Sequence, residues 1–171
     1  SVPDPLFSVT DTCFNDTFAF EDLSTSIQGV IIYWEWDFGD GSPKRYSQDY
    51  DYVYSTHSLY NATLTVATDK GCTNSVVLPV KAYPVPVPDY SQLYECEQQE
   101  IVFTEDGYVN NMFGSSVIKW KWRFGDGDTA STQEAVHFYQ APGYYDIELT
   151  TTSNYGCDAM ITKEILVRPK P

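Results

Sequence analysis

The sequence predicts an all-β chain built as two tandem β-sandwiches, and three observations carry that prediction. Apolar residues recur with period two, as in Ala62, Leu64, Val66 and again in Ile147, Leu149. That is the spacing of a strand burying one face, not the 3.6 spacing of a helix. The segment Trp34-Glu35-Trp36-Asp37-Phe38-Gly39-Asp40-Gly41 returns 86 positions later as Trp120-Lys121-Trp122-Arg123-Phe124-Gly125-Asp126-Gly127. Prolines punctuate the start (Pro3, Pro5), the middle (Pro84, Pro86, Pro88) and the end (Pro169, Pro171). Proline fixes φ and removes an amide donor, so its recurrence at the period of the repeat marks module edges. The expected modules are 1–86 and 87–171.

Taken in order, the first module offers strands at Phe18 to Phe20, Ile31 to Phe38, around Ala62 to Val66, and Val76 to Ala82. The second offers Ile101 to Thr104, Ile118 to Phe124, around Ile147 to Thr151, and Ile161 to Val167. Turn residues between these runs allow about seven short strands in about 85 residues, the makeup of a small sandwich. In the motif, Trp34, Trp36 and Phe38 alternate and should face the core, leaving Glu35 and Asp37 outside. The following Gly39-Asp40-Gly41 supplies an Asp-Gly turn. It is no phosphate cradle, because no Lys follows at the required spacing and no helix begins there. Between the modules, Tyr83 to Asp89 should form a short extended strut. With an odd number of antiparallel strands, the termini of each module fall at opposite ends, favouring an end-to-end pair.

The chain has 171 residues with 24 acidic and 10 basic side chains, a net charge of -14. Both halves share the deficit, with 4 basic against 11 acidic residues up to Pro86 and 6 against 13 after it. Such a charge disfavours nucleic acid and anionic lipid. The longest apolar run, Val30 to Trp34, is far short of a membrane span, so no membrane insertion is expected. The opening Ser1-Val2-Pro3-Asp4-Pro5 reads as a piece of something longer.

Four cysteines keep the repeat's order: Cys13 with Gly71-Cys72, and Cys96 with Gly156-Cys157, separated by 59 and 61 positions. No Cys-x-x-Cys spacing is present, which argues against zinc or thioredoxin chemistry. The expected pairs are Cys13–Cys72 and Cys96–Cys157, each closing a loop worth about 4 kcal/mol in the chain-entropy model, and hence an oxidising, extracellular compartment.

The two histidines, His57 and His137, do not occupy equivalent repeat positions, and counting back from the second Cys places His137 opposite Tyr52. No Gly-x-Ser-x-Gly, paired His or Cys-His arrangement is visible, so no catalytic residues, metal site or cofactor are expected. Between the repeats the outward motif positions differ: Tyr33, Glu35, Asp37 against Lys119, Lys121, Arg123. The latter form the one concentrated positive stripe of the sequence. It reads either as solvated face, or docking surface for an acidic neighbour, or as a site for an acidic glycan or partner.

Trp36 to Gly41, Trp122 to Gly127, then His137-Phe138-Tyr139 and Pro142-Gly143-Tyr144-Tyr145-Asp146-Ile147-Glu148-Leu149 resemble the PKD (polycystic kidney disease) domain over both halves. The resemblance implies seven-stranded immunoglobulin-like sandwiches that act as spacers or as protein or carbohydrate contact modules. The Gly-Cys ending with an earlier Cys is similar to PKD repeats of large Bacteroidetes surface and secreted proteins linked to gliding and type IX secretion. It implies a non-catalytic extracellular or cell-surface spacer and adhesion pair, or alternatively a binding module accessory to a secreted protease or glycosidase. The expected partners are other domains of the same long chain, cell-surface proteins or polysaccharide. Some family members bind calcium through an acidic turn before the motif. The matching stretches, Ser24 to Gly29 and Met112 to Ser115, lack those carboxylates. Other departures are Tyr52 for the family His, Ser58 for the Gly at Gly143, and Arg123 for the first motif Asp.

Overall fold

A computed structural model describes residues 2–93 and 96–170. The chain divides into two compact units, Ser1–Tyr83 and Pro84–Pro171. The units divide at Tyr83/Pro84, beside the boundary expected after Pro86. The last strand of the first unit ends at Tyr83, whereas Val87 already exchanges both hydrogen bonds with Tyr108 of the second (2.7 and 3.0 Å).

In the first unit the strands are β1 (Phe7–Ser8), β2 (Thr12–Cys13), β3 (Phe18–Asp22), β4 (Ile31–Asp37), β5 (Tyr50–Tyr52), β6 (Ser58–Thr68) and β7 (Thr73–Tyr83). They form a three-stranded sheet, β1-β3-β5, facing a four-stranded sheet, β2-β7-β6-β4. The second unit repeats this with β8 (Tyr90–Leu93), β9 (Glu100–Glu105), β10 (Val117–Arg123), β11 (Thr129–Ala130), β12 (Glu134–Phe138), β13 (Gly143–Ser153) and β14 (Asp158–Val167). Its sheets are β12-β9-β8 and β11-β10-β13-β14. Seven strands in two sheets is the immunoglobulin-like sandwich expected of each repeat.

Period-two residues line each core as the strand pattern requires: Ala62, Leu64 and Val66 on β6, and Ile147, Leu149 and Thr151 on β13, are fully buried. Across from them sit the short strands that the sequence pattern did not reveal, contributing Phe7 and Tyr90. Trp36 and Trp122 occupy the two centres with no exposed surface. Phe7 and Phe20 meet the Trp36 ring edge-on at 5.2 and 5.6 Å, a geometry aromatic rings favour.

Trp34 and Trp120 depart from the expectation that all three motif aromatics are core, since both are only half-buried. The Arg45 backbone covers the edge of β4 at Trp36 through two hydrogen bonds (2.8 and 3.1 Å) and leaves Trp34 on the rim. There its indole Nε1 donates to Asp22 Oδ2 at 2.7 Å, as Trp120 Nε1 donates to Glu105 Oε2 at 3.3 Å.

The cysteine pairing expected from spacing is corrected by topology. Cys72 and Cys96 are free thiols, so neither Cys13–Cys72 nor Cys96–Cys157 forms. Cys13 and Cys157 are both buried and disulfide-bonded. Cys13 lies beside Tyr83 at the end of β7, while Cys72 precedes the first residue of that strand. Eleven strand residues at about 3.3 Å each put the two Cα positions about 36 Å apart, against the 7 Å that a disulfide allows. Cys96 bridges Arg168 just past β14, while Cys157 precedes β14, so the second unit separates its pair in the same way.

Candidate interaction surface

The repeated motif spends its polar atoms on its own turn. Asp37 Oδ1 accepts from the Gly39 amide (3.0 Å) and Asp40 Oδ1 from the Ser42 amide (3.0 Å). The Tyr52 hydroxyl donates to Asp40 Oδ2 at 2.5 Å, and the Tyr54 hydroxyl to the Phe38 carbonyl at 2.9 Å. In the second unit Asp126 Oδ1 accepts from the Asp128 amide (3.1 Å), Asp126 Oδ2 lies 2.7 Å from His137 Nε2, and Tyr139 donates to the Phe124 carbonyl (2.9 Å). Trp36 and Trp122 place their Nε1 donors on the Ser47 and Thr132 carbonyls, each at 2.9 Å. Burial holds the Tyr54 and Tyr139 hydroxyls well above the ordinary phenol range. Partial burial pushes Asp40 up, but the hydrogen bonds from Tyr52 and Ser42 outweigh it and hold the carboxyl below its usual range.

Tyr52 and His137 are structural counterparts, as the repeat count indicated. Tyr52 stacks on Phe38 with centroids 3.8 Å apart and His137 on Phe124 at 4.2 Å, and each reaches the motif's second Asp. Asp126, Asp128 and His137 bring three ligand atoms within 4.8 Å of one another, the spacing a cation needs. Their arrangement is that of a hydrogen-bonded corner, because Tyr52 with Asp40 builds the same corner in the first unit without an imidazole. The two carboxylates also approach opposite ring nitrogens, Nε2 at 2.7 Å and Nδ1 at 4.0 Å, which one ion could not use together. His57 packs against the Phe14 ring at 5.7 Å.

The stripe Lys119, Lys121, Arg123 lies on the exposed face of β10. Register places these residues opposite Thr152, Thr150 and Glu148 of β13. Arg123 Nη1 pairs with Glu148 Oε2 at 3.1 Å, so one of the three charges is already compensated. Lys119 and Lys121 have no ion-pair partner among the described residues and line a shallow open groove with Trp120, Ala130, the hydroxyl residues Thr129, Ser131, Thr150 and Thr152, and the carboxylate of Asp158. Two ammonium groups and four hydroxyls against one carboxylate leave a small positive excess, which suits a weakly held anionic group flanked by hydrogen-bonding oxygens. The hydroxyls come from β11, the loop after it and β13, which is why the sequence showed the lysines without them. On the matching face of the first unit the sign reverses, since Glu35 accepts from Lys44 (2.5 Å) and from Tyr33 (2.8 Å). Those bonds hold the Glu35 carboxyl below its ordinary range. Among the described residues no helix is long and apolar enough to cross a membrane.

A sequence model described as PKD domain matches residues 3–81 and 84–167. Over 73 residues the chain is 32% identical to collagenase ColA of Bacillus cereus, a match covering 43% of this chain and 7% of that protein. Over 75 residues it is 33% identical to collagenase ColA of Clostridium perfringens, with the same 43% and 7% coverage. The PKD1 domain of the Vibrio cholerae metalloprotease PrtV superposes with a TM-score of 0.45 at 24% identity, over 48% of this chain and 98% of that domain. The chain thus matches less than a tenth of the length of these curated relatives.

Proposed function

The chain belongs to the PKD domain family, and on that premise we propose that it is a non-catalytic, extracellular pair of sandwiches within a larger secreted or surface protein, holding an active or adhesive region away from the surface. One observation carries the reading: in both units the polar groups of the repeated motif satisfy the fold itself, leaving no reactive constellation at its most repeated feature. The collagenase relatives support placement in a secreted protein. The Cys-bearing form of the repeat supports the narrower assignment to a Bacteroidetes adhesin of the gliding and type IX secretion kind. The test is replacement of this pair in its parent protein by two unrelated sandwiches of equal length. Retained adhesion or activity at the surface fits a spacer, and its loss refutes one.

The lysine groove favours a second reading, a module that contacts an acidic polysaccharide or an acidic protein surface. Heparin stands in for such a ligand in an affinity column. Retention that weakens with salt and disappears in Lys119→Glu/Lys121→Glu would support it, and unchanged elution of the variant would remove it.

A further inference from the structure

The outer edge of β10, in the second unit, is closed by its own chain at one end and open at the other. The Phe124 amide donates to the Asp128 carbonyl at 3.1 Å, and Trp122 pairs with Ala130 of β11. At these alternate positions the main-chain groups of β10 therefore point away from β13. Strand geometry keeps that alternation, so Trp120 also turns its N–H and C=O outward, whereas those of Lys119 and Lys121 are directed at their β13 partners Thr152 and Thr150. Beyond Ala130 the covering stops. The chain bends inward there, and the Thr132 carbonyl accepts from the buried Trp122 Nε1 at 2.9 Å. Neither main-chain group of Trp120 that faces this opening has a hydrogen-bond partner among the described residues.

The side chains around the opening carry a sign. Lys119 and Lys121 flank Trp120 on the exposed face, and Ala130 and Ser131 line the same groove, which places it at the open edge and not in the middle of the sheet. Asp158 stands opposite Thr152, in the cross-strand row of Lys119, so Lys121 is the less compensated of the two. The Trp120 ring lies half-buried on the other side of the strand, with its Nε1 on Glu105 Oε2. A register shift between Val117 and Lys119 ends the regular ladder. Lysines and a bulge at an edge discourage pairing with a second copy of that edge, because like charges would meet across the new ladder. The same charges favour a strand of opposite sign. The first unit supplies a contrast within its own fold. Trp34, at the outward position before the Arg45-bonded Trp36, also lacks a main-chain partner on its open side among the described residues, but its neighbours on the exposed face are Tyr33 and Glu35.

We propose that the open edge of β10 accepts a short, extended, acidic peptide segment of a partner protein, which adds to the sheet as a strand where β11 stops. This rests on the reading of the lysine groove as a contact site for an acidic partner, and it narrows that partner to a polypeptide main chain. One residue of the incoming strand pairs with Trp120: its N–H donates to the Trp120 carbonyl and its carbonyl accepts from the Trp120 amide. The residues on either side of it stand directly opposite Lys119 and Lys121 and point to the same face. An acidic–apolar–acidic triplet therefore sets a carboxylate beside each ammonium and turns its apolar side chain to the Trp120 side of the strand. A polysaccharide can meet the charges, but it has no main chain of alternating N–H and C=O groups to complete the ladder. One open pair and two surface charges make the contact weak and reversible.

The test titrates the whole chain with the end-blocked peptide Thr-Thr-Glu-Val-Glu-Thr-Thr, and with the same peptide N-methylated at Val, while backbone amides are followed by NMR and hydrogen exchange. The first peptide should shift the Lys119, Trp120 and Lys121 amides saturably and slow exchange at Trp120, with β4 unchanged. Methylation removes the donor aimed at the Trp120 carbonyl and leaves every charge in place, so it should weaken binding by about tenfold. Lys119→Glu/Lys121→Glu should weaken binding of the unmethylated peptide by about tenfold or more. Equal binding of the two peptides would overturn strand addition and leave an acidic-partner site standing. Binding of neither, with heparin retention that still depends on the two lysines, would overturn it in favour of a polysaccharide. Indifference of both peptide and heparin to the lysine variant would remove the proposal together with the reading beneath it. Protection of Trp120 that rises with protein concentration in the absence of peptide would assign the edge to a second copy of the chain and overturn the proposal.

Discussion

Replacing Gly39 or Gly41 by Ala separates two reasons for a glycine in one turn. Both residues have left-handed backbones, with φ of +78° and +81°, so a side chain at either is strained by about 1–2 kcal/mol. They differ in space. A Cβ on Gly39 would lie 2.5 Å from the Asn61 carbonyl oxygen and 3.0 Å from its carbon and nitrogen, all main-chain atoms of β6, whereas a Cβ on Gly41 meets nothing within 4 Å. Relief at Gly39 must push the turn away from β6, an overpacking cost of about 1–3 kcal/mol beyond the strain. Gly39→Ala should therefore destabilise its unit by about 2–5 kcal/mol and Gly41→Ala by about 1–2 kcal/mol. At about 4–8 °C per kcal/mol for a domain of this size, the extra cost of about 1–3 kcal/mol should separate the melting temperatures of the two variants by about 4–24 °C. Thermal melts give the difference, and hydrogen exchange over the β6 peptide assigns it to the first unit. Equal shifts for both variants, or loss of protection in β13 instead of β6, would refute the argument that close approach to β6 is what demands glycine at the first position.

Trp36→Ala should cost about 3–5 kcal/mol because the ring is wholly buried and its N–H leaves the Ser47 carbonyl, whereas Trp34→Ala, on the rim, should cost clearly less; denaturant titration of the two variants checks the order. The raised pKa values of Tyr54, Tyr90 and Tyr139 favour the folded state below the ordinary phenol pKa near 10, and that contribution is lost as pH rises above it. Tyrosinate absorbance should accordingly show a fraction of phenols that ionise only together with alkaline unfolding. Asp40, held below its usual range, contributes stability above the ordinary carboxylate pKa near 3.9 that disappears as pH falls through the lowered value. Tyr52→Phe removes one of its donors, so acid unfolding of the first unit followed by hydrogen exchange should begin at higher pH than in the wild type.

The lysine groove and the Tyr52 and His137 corners show where local pattern stops being informative. Lys119 and Lys121 were legible as an outward pair because β10 alternates strictly. The hydroxyls beside them were not, since they reach the groove from β11, β13 and the loop after β11, and strand pairing brings those segments together. Likewise the exchange of Tyr52 for His137 was visible by counting, but only the folded corners reveal that phenol and imidazole each stack on the motif Phe and contact the motif Asp.

By itself the sequence determined the two-unit organisation, the sandwich class, and the central place of Trp36 and Trp122, because strand period and an extended repeat are local properties that survive in one dimension. Tertiary structure alone decided the short strands β1, β2, β5, β8 and β11, which carry too few residues for a period to show and exist because a longer neighbour supplies their hydrogen bonds. It also decided the fate of the cysteines. Spacings of 59 and 61 measure chain length, whereas bonding depends on distance in space, and a single pass of β7 or β14 holds the cysteines of one unit at its opposite ends.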